Sequence, residues 1–195
     1  MAGSTHSHDT LCRLLSAESG AVVVAPEYRL APEAPFPAAL LDCLSAWDYV
    51  TGQEGSELGH FGSAAAAAGG GGGGGIFLGG DSAGGNLAVA MCTWLQQQNH
   101  RHCGGGSRAS SPMPSGLSLA YPLLDLSKGG ILQQSDATSR KLLSGDAVLP
   151  AAMIDLCISS YVPDSLVRFH NHLASPSLLS PDQVSAVFAD IPCQL

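Results

Sequence analysis

The sequence predicts an α/β fold: a doubly wound, mostly parallel sheet with flanking helices. Three observations carry this. Residues 21–25 (Ala-Val-Val-Val-Ala) form an unbroken apolar, β-branched run, the pattern of a parallel strand covered on both faces. Segments with apolar residues at helical spacing alternate with such runs. The strand-like Ile76-Phe77-Leu78 passes through a glycine-flanked turn into an apolar helical stretch, residues 87–95. A helix–strand alternation of this kind specifies a parallel sheet.

In chain order, residues 10–19 read as a helix with Leu11, Leu14 and Leu15 on one face, ended by Gly20. The run 21–25 follows as a strand. Residues 38–50 carry Leu40, Leu41, Leu44, Trp47 and Val50 at helical spacing. Residues 62–75 are a low-complexity Ala/Gly stretch, read as a flexible insertion before the strand at Ile76, because glycine offers no side chain to a core. Residues 104–115 read as a second loose loop. Residues 116–121 are the next strand and residues 147–161 the next helix. A further strand is expected to begin near Ile191. With the chain ending at Leu195, the strand 116–121 is expected to be left as an apolar sheet edge. All of this reads as one partial domain over residues 1–195.

Composition narrows the function. Apolar residues make up 45% of the chain and charged ones 12%, which suits a packed core. The net charge of −8 argues against nucleic acid or an anionic membrane surface as partner. No apolar run approaches the roughly 20 residues that span a bilayer. The N-terminus, Met-Ala-Gly-Ser-Thr-His, has neither the basic start nor the apolar core of a secretory signal. The six cysteines form no Cys-x-x-Cys pair and no zinc spacing. Cys43, Cys92 and Cys157 sit in apolar helical patterns as buried thiols, so a reducing, cytoplasmic setting is expected. No Lys-Ser or Lys-Thr follows the glycines of 69–75, so no phosphate cradle and no cofactor is expected.

The chemistry concentrates at Gly80-Asp81-Ser82-Ala83-Gly84, a Gly-x-Ser-x-Gly turn between strand and helix. Such a turn lifts a serine hydroxyl clear of the sheet in a strained backbone. A side chain at either flanking glycine, Gly80 or Gly84, is expected to collide with neighbouring backbone, and Gly85 belongs to the same turn. The helix that follows aims its free N–H groups at the serine, where negative charge would develop. Asp81 is read as a support beneath the turn that accepts backbone hydrogen bonds. Asn86 is read as ordering the helix start. His6, His8, His60, His100 and His102 flank loops or termini and read as solvated side chains.

Three motifs occur in order: Tyr28-Arg29-Leu30-Ala31-Pro32-Glu33 with Pro35-Phe36-Pro37, then Gly80-Asp81-Ser82-Ala83-Gly84-Gly85, then Tyr121-Pro122-Leu123-Leu124-Asp125. Together with Ser175-Pro176-Ser177-Leu178-Leu179 they resemble the hormone-sensitive-lipase-like carboxylesterases, the fold-3 branch of the α/β-hydrolases. The resemblance runs from about residue 7 to 195. It implies Ser82 as the nucleophile for a small-molecule carboxylic ester, the Ala83 N–H as an oxyanion donor, an Arg29–carboxylate pair fixing the Tyr-Arg-Leu-Ala-Pro-Glu turn, and a helix at 147–161 lying over the site.

The resemblance also implies a His-Gly-Gly-Gly loop upstream of residue 21, and an acid and a histidine beyond the strand near Ile191. These are not in the sequence, so the chain reads as truncated at both ends. The order Ser, Asp, His is still permitted by Asp125, Asp136, Asp146, Asp155 or Asp164 with His170 or His172, although both histidines fall where the family has a polar surface loop. Three readings stay open: a serine hydrolase, a non-catalytic small-molecule-binding relative, and an inactive truncated gene product.

Residues 64–75 are expected to be dispensable, because ordering seven consecutive glycines carries a large backbone-entropy cost with no side chains to offset it. Replacing them with a short turn should leave the thermal midpoint unchanged or slightly raised; a loss of several kcal/mol would show that they pack.

Overall fold

The computed structural model of the chain describes residues 4–51, 75–102, 111–126 and 150–194. The low-complexity stretch up to residue 74, the loop 104–110 and the candidates Asp136, Asp146 and His60 lie outside the described residues.

Helix α1 spans Thr5–Ser19. It begins five residues before its apolar pattern because Ser4 and Ser7 form a reciprocal capping box, and Gly20 closes it at φ 69° with its N–H on the Ser16 carbonyl. Its leucine face is not buried: Leu11, Leu14 and Leu15 are each about half exposed. The run 21–25 is a correction to the sequence reading. It forms no strand, and Val22 is 68% exposed. Its residues favour a pleated surface, but a strand exists only through ladder partners, and among the described residues none lies beside it.

Helix α2, Ala38–Thr51, buries Ala39, Leu40, Cys43, Leu44 and Trp47, while Leu41 on the same predicted face stays exposed. Arg29 anchors the preceding segment to it. Its guanidinium donates to both Asp42 carboxylate oxygens at 2.7–3.1 Å, and its backbone N–H donates to Asp42 at 2.9 Å. These hydrogen bonds hold the Asp42 carboxyl below its usual range. The predicted Arg–carboxylate pair is thus made with Asp42 of α2, not within the Tyr-Arg-Leu-Ala-Pro-Glu turn itself.

Strand β1, Phe77–Asp81, leads through Ser82 into helix α3, Ala83–His102. Strand β2 is Gly116–Ala120 and the short β3 is Cys193–Gln194. The sheet is parallel in the order β1-β2-β3, with Leu78 beside Leu117 and Leu117 beside Cys193. The expectation that residues 116–121 form a bare edge is corrected for the first part of the strand: β3 pairs Leu117 and Ser118, and among the described residues Leu119 and Ala120 have no partner on that outer side. Leu117 and Leu119 point into the core, whereas Phe77, Ser118 and Ala120 point to the opposite, exposed side.

Helix α3 is the centre of the molecule, with residues 85–93 buried without interruption. One side meets α2 and the segment around Ile158, Tyr161 and Val162; the other meets β2, Val187 and Ile191. Burial on every side pushes the Cys92 thiol up to about 12, and the Thr93 hydroxyl satisfies itself on the Val89 carbonyl at 2.9 Å. The Cys43 thiol is raised to about 11, also by burial. The other described cysteines, Cys12, Cys157 and Cys193, are also free thiols and are not fully buried. Helices α4 (Ala151–Tyr161), α5 (Ser165–His170) and α6 (Pro181–Phe188) complete the described chain, α6 opened by a Ser180–Gln183 capping box. No helix among the described residues is long and apolar enough to cross a membrane.

Leu40 is 2% exposed at the α2–α3 contact, so truncation leaves a cavity that rigid neighbours cannot close. Leu40→Ala should lower unfolding free energy by about 2–5 kcal/mol in a denaturant titration; a change below about 1 kcal/mol would show that this contact is not part of a packed core.

Candidate active site

The turn from β1 into α3 holds Ser82 at φ 49°, the left-handed region that a side chain normally avoids. Three backbone hydrogen bonds fix it there. The Ser82 N–H donates to the Ala120 carbonyl at 2.9 Å, so the turn is tied to the end of the neighbouring strand. The Ser82 carbonyl accepts from Leu123 N–H at 3.0 Å and from Asn86 N–H at 3.2 Å.

The glycines divide their roles differently from the sequence reading. A Cβ at Gly80 would lie 2.4 Å from the backbone carbon of Gly84, an overlap that no side-chain rotation relieves. At Gly84 a Cβ would meet nothing within 4 Å, so the expected collision there is corrected. The second crowded position is Gly85, whose Cβ would approach Pro122 at 2.7 Å. Close packing of α3 on the exit of β2, rather than the symmetry of the motif, sets which glycine is needed.

Ala83 is the first residue of α3, and no acidic residue lies in that first turn. Its N–H is one of the four that a helix leaves without an internal partner, beside the serine and at the positive end of the helix. Ala83 also borders a small cavity of about 20 Å³, lined with Asn86, Leu123, Leu126, Cys157, Ile158 and Tyr161. Helix α4 thus lies against the serine turn, as the resemblance implied. Burial raises the Tyr161 hydroxyl above its ordinary range.

Asn86 does more than order the helix start. It is 3% exposed, and its side-chain amide donates to the carbonyls of Leu123 at 2.9 Å and Ala174 at 3.0 Å. One side chain therefore joins α3, the segment after β2 and the segment before Pro176. Ser175 makes the matching tie, accepting from Leu126 N–H at 2.9 Å while fully buried. The signal in the sequence is an amide four residues after Ser82, directly ahead of the apolar run 87–92.

Asp81 departs from its expected role. Its carboxylate does not bond the backbone of the turn; it faces the Tyr121 hydroxyl at 3.5 Å and His8 Nε2 at 3.3 Å. His8, read as solvated, thus reaches from α1 to the residue preceding the serine. Tyr121 itself has φ 38°, so two neighbouring strand ends each finish on a left-handed non-glycine residue.

His170 and His172 do not approach Ser82. They line a groove with Trp94, Gln97 and Arg101, and His172 is hydrogen-bonded to Gln97 at 2.6 Å. Gln97 lies fifteen residues after Ser82, about 20 Å away at the α-helical rise. A triad built on either histidine is excluded by that separation. Among the described residues no imidazole is hydrogen-bonded to the Ser82 hydroxyl, and no cluster of His, Cys, Asp and Glu could hold a metal ion.

The sequence model of the α/β hydrolase fold family matches residues 1–190. Human hormone-sensitive lipase is 32% identical over 176 residues, covering 83% of this chain and 12% of that protein. The carboxylic ester hydrolase LipN of Mycobacterium tuberculosis is 31% identical over 176 residues, covering 90% of this chain and 40% of its own length. Among solved structures, the hyperthermophilic esterase from Pyrobaculum calidifontis superposes with a TM-score of 0.67 at 30% identity, covering 91% of this chain and 48% of that one. Carboxyl esterase 2 of Tuber melanosporum, at 22% identity and a TM-score of 0.69, shares the fold over 97% of this chain and 50% of its own. The chain spans about half the length of these solved esterases and a smaller share of the curated relatives. On the family match over residues 1–190, and with the serine turn its geometry displays, the chain belongs to the α/β hydrolase fold family, among the relatives of hormone-sensitive lipase and the carboxylesterases.

Proposed function

We propose that Ser82 is the nucleophile of a carboxylic-ester hydrolase acting on small-molecule esters. The carrying observation is the φ of 49° at Ser82, directly ahead of the free N-terminus of α3. In that reading the Ser82 Oγ attacks the ester carbonyl, the Ala83 N–H steadies the oxyanion, the alcohol leaves, and water releases the acid from the acyl-enzyme. Gly80 and Gly85 give the turn room, while Asp81 and Gly84 complete it. The esterase and lipase names of the relatives support the same chemistry. We also propose a reducing, cytoplasmic setting, supported by the buried thiols of Cys43 and Cys92.

A serine hydroxyl is a weak nucleophile without a base, and the described residues give Ser82 none. A fluorophosphonate added in excess to the 195-residue chain should form one adduct, slowly, and peptide mapping should place it on Ser82. An adduct that persists undiminished in Ser82→Ala would overturn the assignment.

Turnover should separate nucleophile from base. The chain is expected to hydrolyse p-nitrophenyl butyrate no faster than its own Ser82→Ala variant, since removal of triad members leaves only residual catalysis. A clear Ser82-dependent rate would mean that these 195 residues supply a base.

A further inference from the structure

The last turns of α3, together with α5 and the segment after it, form a groove of about 580 Å³. Trp94, Gln97 and Arg101 line it from α3, at the i, i+3, i+7 spacing that places them on one helix face. A volume of this size suits a small organic molecule rather than a single ion. Trp94 comes twelve residues after Ser82, about 18 Å at the helical rise, so the groove is separate from the serine turn.

Its floor is apolar and fixed. Trp94, Val167 and Leu173 are partly buried and pack against the core, so the surface they give the groove is held from behind. Leu166 stands at the rim, 66% exposed. An occupant with an apolar body would take this surface out of water.

The polar groups around that floor are mostly donors. Asn171 commits its side-chain oxygen to the Leu173 N–H at 2.9 Å, which leaves its amide NH2 to donate elsewhere. The Gln97 amide nitrogen donates to His172 Nε2 at 2.6 Å, so the neutral ring carries its N–H on Nδ1. Arg101 forms no ion pair among the described residues, and its guanidinium is a planar fork of N–H groups. No Asp or Glu lines the groove, although the chain carries 16 of them against 8 Lys and Arg. A head group that only accepts hydrogen bonds matches this set, and a carboxylate meets a guanidinium fork with both oxygens. The carbonyls at the C-terminal end of α3 oppose an anion, so the head alone does not suffice and the apolar floor must contribute.

We propose that this groove is a second binding site, for a small carboxylate with an apolar body: the carboxylate bonds Arg101 and the donors beside it, and the body lies along Trp94, Val167 and Leu173. The site goes beyond the reading of Ser82 as nucleophile and does not rest on it. For a ligand of about ten heavy atoms the expected dissociation constant is on the order of 1 mM. Head and body each supply part of that affinity, so neither alone binds as well.

Titration of the whole chain with octanoate, read by tryptophan fluorescence, tests this. The chain has two tryptophans, Trp94 in the groove and Trp47 in the core, so loss of the response in Trp94→Phe assigns it to the groove. The response should saturate. Arg101→Ala should weaken octanoate binding about 3–10-fold, and Leu166→Glu, which sets an acid on the rim, should weaken it at least as much. Both residues are exposed, so neither variant disturbs the core. Acetate supplies the head without the body and 1-octanol the body without the head; each should bind at least about 10-fold more weakly than octanoate. Salt near 1 M, where charges are screened beyond about 3 Å, should weaken octanoate and not octanol. An absent or unsaturable response to octanoate, octanol binding as tightly as octanoate, or an affinity unchanged by Arg101→Ala would each overturn the proposal.

Discussion

Ser82 holds a backbone conformation that costs a side-chain-bearing residue about 1–3 kcal/mol, and the surrounding structure exists in the form that enforces it. The enforcement is physical contact at close range. Gly80 lets β1 pass against the backbone of Gly84, Gly85 lets α3 sit on Pro122, and the Ser82 N–H and carbonyl are taken by Ala120 and Leu123 from the end of β2. A turn held between two strands and a helix cannot relax without breaking the sheet. Ser82 is thereby held directly ahead of Ala83, the first residue of α3, where the helix leaves its leading N–H groups without an internal partner.

The next layer out secures those contacts. Residues 85–93 of α3 are buried on all sides, so the helix cannot shift away from the turn without opening both core clusters. Asn86 and Ser175 then bind the segment after β2 to the segment before Pro176, which brings α4 and the cavity beside Ala83 into register with the serine. A buried amide that satisfies two carbonyls is costly to remove, because both acceptors would be left in an apolar setting. The site is thus a consequence of how α3 packs.

Much of this is legible in the sequence, and what is not has a common cause. Local rules found α1 through its leucines and Gly20, α2 through its apolar face, and the strand–turn–helix at Ser82 through its motif. They fail where a feature depends on a neighbour distant in sequence. The run 21–25 has every residue a strand wants and no strand beside it among the described residues. Arg29 chose Asp42 over the nearer Glu27 and Glu33 because α2 turns that carboxylate toward it. Gly84 shows the same limit: the motif pairs it with Gly80, but within the turn the crowded positions are Gly80, against backbone, and Gly85, against the Pro122 ring. His8 reads as a surface residue until α1 is docked against Asp81.

The central claim is that steric fit at the strand–helix crossing, and not the Gly-x-Ser-x-Gly pattern as such, holds Ser82 in place. Paired alanine substitutions separate these directly, with denaturant unfolding and Ser82 adduct formation as readouts. Gly84→Ala should be neutral or raise stability by about 0.5–1 kcal/mol, since alanine suits a helix better than glycine, and should leave the adduct on Ser82. Gly80→Ala should lower stability by about 1–3 kcal/mol, the usual cost of forcing an atom into closed packing, and should slow the adduct sharply. Equal losses from both substitutions, or a silent Gly80→Ala, would contradict the account.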